Sequence, residues 1–273
     1  MSDLAKRSSS AVVFVLLILG PLFIPETRYA FGLYSVLGFF TLRELLRMTH
    51  KNGQRFHWSY LSYVILTLFA YSIFFGLEVP NSMFVLGLVA TGLAISIQEL
   101  FQTGDAPFQN VASQIWAPIF ISLSFLGIFY FMSYRTDLPS LYITISVFSL
   151  IWINDSGAYL FGRKIGKTKL FERLSPNKTW EGSLGGMACA MTAGIALSFI
   201  EGMPSILVMI GFAATCVISG SLGDLFESRL KRDAGVKDSG TFLPGHGGFF
   251  DRFDAMILAV PAAILYFEVV LPK

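Results

Sequence analysis

The sequence predicts an all-α polytopic membrane protein with a polar active site at the cytoplasmic face, between its C-terminal helices. Hydrophobic residues make up 54% of the 273 residues and charged residues only 14%, whereas soluble domains carry about 25% charged residues. Apolar runs of roughly 17 to 20 residues, long enough to cross a bilayer as helices, recur along the chain. A dense group of charged residues at 220–254 interrupts this pattern.

About nine apolar runs are long enough to be membrane-spanning helices. They cover about 9–25, 29–47, 59–77, 82–98, 114–132, 138–154, 183–200, 204–223 and 252–270. With a cytoplasmic N-terminus, this count places 17 of the 20 lysines and arginines on the cytoplasmic side. Because cytoplasmic loops carry an excess of Lys and Arg, the distribution supports the count and predicts an external C-terminus.

Composition divides the chain near residue 138. Residues 1–138 have short loops with few distinctive side chains, and we expect them to form scaffold helices that face lipid. Residues 139–273 carry two long cytoplasmic loops with most of the polar residues, and we expect them to form the catalytic region. Cys189 and Cys216 lie inside predicted helices, a placement that indicates packing roles and not a disulfide framework.

The first group of candidate functional residues lies at 154–182, after the sixth predicted helix. Its GRKIGKT segment, Gly162–Thr168, is not a phosphate loop, because that motif needs four residues between its glycines and follows a parallel strand. The weaker prediction is that the glycines allow close backbone approach to a phosphate, with Arg163, Lys164 and Lys167 nearby. An ordinary positively charged loop explains these residues about as well.

The end of this group predicts the start of the seventh helix. Ser175 is a favourable N-cap residue, and Pro176 suits the first helical position. Because the free N–H groups at a helix start bind anions, we expect Lys178 and Thr179 to lie beside a phosphate. An ordinary cap would account for Ser175 and Pro176 but would leave Lys178 and Glu181 unexplained.

The second group lies at 220–254. If the eighth helix continues past Gly223, four polar residues share one of its faces: Asp224, Glu227, Ser228 and Lys231. Asp251 and Asp254, three residues apart at the start of the ninth helix, share another face. Together the two helix ends predict a carboxylate pocket for one or two divalent cations. A salt-bridged helix end is the alternative, since acids and bases alternate here.

A glycine-rich segment, PGHGG at 244–248, comes directly before Asp251. Such a segment can wrap around phosphates. His246 could donate a hydrogen bond or ligate a metal, although a histidine in a loop more often does neither. A salt-bridged helix end does not explain this segment.

These residues resemble the C-terminal signature of the phosphatidate cytidylyltransferases, also called CDP-diacylglycerol synthases. The matching positions fall within 27 residues: Ser228, Lys231, Arg232, Lys237, Asp238, Pro244–Gly248, Asp251, Arg252 and Asp254. The stretches Asp155–Lys167 and Ser175–Gly182 are also similar to the family, whereas the N-terminal half resembles it only in hydropathy.

The resemblance implies an integral membrane homodimer that needs Mg²⁺ and transfers CMP from CTP to phosphatidic acid, releasing pyrophosphate. It assigns the metal to Asp224 and Asp251 and adds a monovalent cation such as K⁺ as a candidate. From the residues themselves we expect Asp238 or Asp254 to be further or water-mediated ligands. The predicted catalytic residues are Asp224, Asp251, Lys231 and Asp238. The predicted substrate-binding residues are Lys167, Ser175, Lys178, Thr179, Ser228, Arg232, Lys237, His246 and Arg252. The expected partners are CTP, phosphatidic acid and membrane lipids, without nucleic acid, in a bacterial inner membrane.

Two other kinds of function stay open. A CTP-dependent lipid kinase, or a cytidylyltransferase for another lipid phosphate, would use the same residues for CTP and metal. A cation or phosphate transporter would also place charged residues in helices. The charges of this chain lie at one membrane face and not at the midplane, which argues against a transporter.

Overall fold

The computed structural model describes residues 14–49, 57–102, 106–135, 138–240 and 247–272. These ranges are mostly helical, and each predicted apolar run overlaps a helix. The helices are α1 (Phe14–Phe23), α2 (Thr27–Thr49), α3 (His57–Phe75), α4 (Asn81–Leu100), α5 (Pro107–Leu126), α6 (Ser140–Ile165), α7 (Trp180–Leu197), α8 (Ile206–Ala234) and α9 (Phe250–Val270). A π-helical turn, Tyr130–Tyr134, follows α5, and the strands β1 (Lys169–Phe171) and β2 (Ser175–Thr179) lie between α6 and α7.

Five of the described helices are long and apolar enough to cross a membrane: α3, α4, α6, α8 and α9. Only 17% of the apolar stretch of α3 and 22% of that of α4 is buried. Both helices therefore present apolar side chains outwards, as helices that face lipid do. An all-α membrane protein is thus confirmed, whereas the count of nine crossings and the orientation of the chain stay predictions.

The buried core joins the two halves of the chain where α2, α5 and α9 pack together. The rings of Phe125 in α5 and Phe253 in α9 meet edge to face, with centroids 4.8 Å apart. The hydroxyl of Ser124 donates to the backbone oxygen of Ile257 over 2.8 Å. The N-terminal helices therefore support α9 directly, while the proposed division near residue 138 stays a prediction.

α6 and α7 approach each other closely because glycines lie on both sides of their contact. A Cβ atom on Gly157 would lie 3.0 Å from the Cα atom of Gly186, and one on Gly182 would lie 2.8 Å from the backbone oxygen of Ala158. Small residues let membrane helices bring their backbones together in this way. We call this contact, made by Gly157, Gly182 and Gly186, the glycine seam.

The sixth predicted helix is longer than the sequence indicates. α6 continues to Ile165, so residues 155–165, expected to form a loop, are helical. The apolar run ends at 154, but the seam with α7 supports the helix beyond it. Arg163 and Lys164 lie in its last turn, where cations interact favourably with the helix dipole.

The predicted cap of the seventh helix is wrong. Ser175 and Pro176 belong to β2, which pairs antiparallel with β1 and places Phe171 opposite Ser175. The N-cap is Thr179, whose side-chain oxygen accepts a hydrogen bond from the backbone N–H of Gly182 over 3.2 Å. Strand pairing therefore delays the helix start to Trp180, beyond a serine and proline that would otherwise favour one.

The eighth helix continues past Gly223, as the argument for its polar face requires. α8 ends at Ala234, and the next residue, Gly235, adopts the left-handed conformation with φ of +72°, which glycine reaches without steric cost. The residues predicted to share a face of this helix are therefore all helical.

Candidate active site

A cavity of about 570 Å³ lies between α6, the β-hairpin, α7 and α8. Its volume falls in the range of small-molecule sites, about 300–1,000 Å³. The lining combines charged, hydroxyl and amide side chains with glycines: Asn154, Asp155, Ala158, Tyr159, Gly162, Arg163, Leu170, Ser175, Asn177, Lys178, Thr179, Gly182, Ser183, Ser221 and Asp224. Ser175, Lys178, Thr179 and Asp224, all predicted as site residues, thus line one cavity.

Glu181, in the first turn of α7, holds the two residues that lead into β1. The carboxylate of Glu181 accepts hydrogen bonds from the backbone N–H groups of Lys167 at 3.0 Å and Thr168 at 3.1 Å. Glu181 thus receives a structural role, and Lys167 contributes its backbone here while its side chain is exposed.

An ion pair joins the hairpin to α8. The ammonium group of Lys178 contacts one carboxylate oxygen of Asp224, and the hydroxyl of Ser228 lies 3.4 Å from the other. The side chains of Lys178 and Asp224 are 30% and 31% exposed, so both can reach a ligand in the cavity. Three predicted site residues therefore meet at Asp224.

Three carboxylates converge beside this ion pair. Asp224, Glu227 and Asp254 each offer an oxygen, and these oxygens lie within 4.8 Å of one another. Glu227 is buried, and its Oε1 atom has no hydrogen-bond partner among the described residues. Because a buried, unpaired carboxylate oxygen is costly, this arrangement fits a hard divalent cation, which prefers oxygen ligands. We call these three residues the acidic cluster.

Asp251 lies next to the acidic cluster and binds other groups. One of its oxygens accepts a hydrogen bond from Lys231 at 2.8 Å, and the other accepts the backbone N–H groups of Ser239 at 2.9 Å and Gly248 at 2.8 Å. Lys231 also pairs with Glu227 over 2.8 Å. Lys231 therefore links Asp251 to the cluster, and a direct metal contact by Asp251 stays a prediction.

The remaining predicted residues lie further out. Arg232, Lys237 and Asp238 are exposed, and the described contacts do not join them to the acidic cluster. Arg252 lies at the start of α9 beside a small cavity of about 50 Å³, which Asp254 also lines. His246 lies outside the described residues, so its predicted role is untested.

The helical spacing put Glu227 on the face of the predicted carboxylate pocket without naming it a ligand, and no pattern gave Glu44 or Asp155 a role of its own. The spacing of Asp224 and Glu227 placed both on one helix face, which was a usable signal for Glu227. Asp155 comes from α6 and shares the main cavity with Lys178 and Asp224. Glu44 is 195 positions from Ser239, whose hydroxyl lies 2.8 Å from its carboxylate; no local pattern indicates such a contact.

Comparison with known proteins gives one consistent result. Residues 5–270 match the family described as "Cytidylyltransferase family". The chain is 42% identical over 142 residues to a phosphatidate cytidylyltransferase of Staphylococcus aureus, covering 52% of this chain and 55% of that protein. It is 40% identical over 176 residues to the phosphatidate cytidylyltransferase of Staphylococcus epidermidis, covering 64% of this chain and 66% of that protein. In the first of these matches the chain spans about half the length of its relative.

Proposed function

This chain belongs to the cytidylyltransferase family, and on that premise we propose that it is a phosphatidate cytidylyltransferase. It would transfer CMP from CTP to phosphatidic acid and release pyrophosphate. The observation that carries the proposal is the position of Asp224, which lines a cavity of about 570 Å³ and belongs to the acidic cluster. The names of the staphylococcal relatives point to the same reaction.

The reaction needs positioning and charge stabilisation more than an activated side chain. A phosphate oxygen of phosphatidic acid forms a bond to the α-phosphorus of CTP, and the bond from that phosphorus to the oxygen bridging to the β-phosphate breaks. The attacking oxygen is already anionic near neutral pH, so no serine or cysteine nucleophile is required. The barrier comes from bringing two polyanions together, and oriented cationic groups lower it.

Several described side chains suit these tasks. Arg163 and Lys178 line the cavity and would hold the triphosphate, since both cations bind phosphate oxygens. Lys178 would act where the cavity meets the acidic cluster, because it contacts Asp224. Arg252 would hold the lipid phosphate near Asp254. The exposed Arg232 and Lys237 are proposed to attract the anionic substrates at the membrane surface.

The acidic cluster fits the divalent cation that this reaction would use. Asp224, Glu227 and Asp254 would hold Mg²⁺, with Asp251 or Asp238 as further or water-mediated ligands. When bound, Mg²⁺ would neutralise charge on the phosphates and on the leaving pyrophosphate. A monovalent cation such as K⁺ beside it is part of the same proposal.

The proposal includes a homodimer in a bacterial inner membrane, with the active site facing the cytoplasm. The excess of Lys and Arg in the predicted cytoplasmic loops supports this orientation. The bacterial source of the relatives supports the choice of membrane.

A product assay on protein purified in detergent tests the proposal. Phosphatidic acid, α-labelled CTP and Mg²⁺ should give labelled lipid and pyrophosphate, and a chelator should abolish both. Asp251→Asn should lower turnover about 100-fold or more, and far more than it lowers the protein level, because it removes a charge beside the reacting groups. Glu172→Gln, an exposed residue between β1 and β2 that does not line the cavity, is the control and should keep full activity.

Other outcomes contradict the proposal in different ways. If the label stays in soluble CDP while the lipid gains a phosphate, the enzyme is a kinase. If no lipid acceptor is turned over, the transferase assignment fails and a transporter becomes the better explanation. Full activity of Asp251→Asn would leave the reaction in place but remove Asp251 from the site.

A further inference from the structure

We propose that Glu44, from the N-terminal half of the chain, is a positioning residue of the active site. Its carboxylate would hold the start of α9 and Ser239, and through them orient Asp251. The kinetic part of this inference rests on the proposed function, whereas its geometric part does not. Glu44 touches neither the main cavity nor the acidic cluster, so it would act through other residues.

Glu44 caps the N-terminus of α9. The first N–H groups of a helix have no partner within the helix, and the residue before α9, Phe249, provides no side-chain cap. Oε2 of Glu44 accepts a hydrogen bond from the backbone N–H of Phe250, the first residue of α9, at 2.9 Å. A negative charge at a helix N-terminus is also favoured by the dipole. α2 therefore caps α9 across the molecule.

The backbone at Gly240 and Gly248 packs closely around the Glu44 carboxylate. Cβ atoms on Gly240 or Gly248 would collide with the Glu44 carboxylate in its present position, so both glycines let the backbone pass close to the carboxylate where it lies. One turn earlier on α2, the ring of Phe40 stacks on that of Phe249 with centroids 5.2 Å apart and planes 13° from parallel. Phe40 and Glu44 thus present one face of α2 to the residues that lead into α9.

Ser239 connects Glu44 to Asp251. The hydroxyl oxygen of Ser239 lies 2.8 Å from Oε2 of Glu44 and 3.0 Å from Oδ2 of Asp251. A hydroxyl carries one proton, so Ser239 donates to one carboxylate at a time. When it donates to Glu44, the backbone N–H groups of Ser239 and Gly248 still hold Asp251. Glu44 therefore fixes Ser239, which presents one of these donors to Asp251.

Lys231 connects Asp251 to the acidic cluster, because its ammonium group lies 2.8 Å from carboxylate oxygens of both Asp251 and Glu227. A change in the position of Asp251 can therefore reach the cluster. Loss of Glu44 should loosen Asp251 and the start of α9 and leave the cavity between α6 and α8 in place. We therefore expect a defect in turnover and not in CTP binding. Displacement of a catalytic group by about 1 Å can cost about 100-fold in rate.

The experiment compares Glu44→Ala, Glu44→Gln and the wild type in the product assay, together with hydrogen exchange. Glu44→Ala should lower kcat about tenfold or more, with KM for CTP within about twofold of wild type. Amides in peptides covering 247–256 should exchange about tenfold faster in Glu44→Ala, with the rest of the chain unchanged. In Glu44→Gln the side-chain amide oxygen can still accept the hydrogen bond from the backbone N–H of Phe250. Both kcat and the exchange rates at 247–256 should therefore be close to those of the wild type. Glu201→Gln, an exposed glutamate between α7 and α8, is the matched control and should behave as wild type.

Each remaining outcome overturns the inference or the proposed function. Wild-type kcat in Glu44→Ala overturns the role of Glu44 in turnover. Faster exchange throughout the chain, with no recovery in Glu44→Gln, shows a purely structural role and also overturns the inference. If the wild type does not transfer CMP, the proposed function fails, and the exchange measurement still decides whether Glu44 holds α9.

Discussion

At the scale of single residues, Lys231 forms ion pairs with two carboxylates of the site, Glu227 and Asp251. Its ammonium group lies 2.8 Å from a carboxylate oxygen of Glu227 and of Asp251, and its side chain is only 17% exposed. The side chains of Glu227 and Asp251 are 2% and 8% exposed. Removal of one partner from such a pair leaves charges buried without compensation.

We therefore predict that Lys231→Met destabilises the protein. The free energy of unfolding in detergent should fall by about 3 kcal/mol or more, as when one partner of a buried pair is removed. Arg229→Met is the matched control, because Arg229 forms the same i, i+4 pair with Asp233 at the surface, with side chains 47% and 57% exposed. It should cost about 1 kcal/mol or less. Equal losses in both variants would show that burial does not strengthen the Lys231 contacts.

At the scale of elements, the glycine seam between α6 and α7 determines the shape of the cavity. A Cβ atom on Gly186 would lie 2.5 Å from the backbone oxygen of Asn154, and backbone atoms cannot move aside as a flexible side chain can. Gly182 lines the cavity itself. The seam therefore determines the distance between two of the elements that enclose the cavity.

Gly186→Ala should consequently weaken both the fold and the site. We expect the extra methyl group to cost about 1–3 kcal/mol of unfolding free energy, as overpacking does, and to lower affinity for CTP. Gly92→Ala in α4 is the control, because a Cβ atom there would meet nothing within 4 Å. It should be neutral or stabilising by up to about 1 kcal/mol, since alanine favours helix. Thermal unfolding in detergent, with and without CTP, measures both the stability and the affinity for CTP. If neither changes in Gly186→Ala, α6 and α7 can separate freely.

The elements show which parts of the structure the sequence could predict. Apolar runs located the helices because hydrophobicity along one segment is a local property. The helical spacing of Asp224, Glu227 and Lys231 likewise predicted their common face. The cap at Ser175 was wrong because β1, a separate segment, pairs with that residue. Glu44 was missed for the same kind of reason, since its partners lie about 200 positions away.

At the scale of the whole molecule, α7 decides between two ways of threading the chain through the membrane, because the predicted count of nine crossings includes it and the five described helices long and apolar enough to cross do not. α7 has 18 residues, which correspond to about 27 Å of helix, close to the thickness of the hydrocarbon core, about 30 Å. The hairpin and the connection to α8 lie at its two ends. Nine crossings with a cytoplasmic N-terminus place the hairpin inside and the connection outside.

Cysteine labelling in a background that carries Cys189→Ser and Cys216→Ser tests this orientation. A membrane-impermeant maleimide should label Glu201→Cys in intact cells and should label Glu172→Cys only after lysis. Both starting residues are exposed, so access depends on the side of the membrane and not on burial. Labelling of both positions from one side would mean that α7 does not cross and that the predicted count is wrong.

The glycine seam also affects how variants of this protein can be interpreted. Where backbones touch, the separation of two helices is determined by main-chain atoms that every substitution of a neighbouring side chain leaves in place. Exchanges at Arg163, which lines the cavity from α6, can therefore alter the chemistry of the cavity while the distance between α6 and α7 stays the same. Kinetic differences between such variants would then report lost interactions with the ligand and not a change in the spacing of the helices that line the cavity.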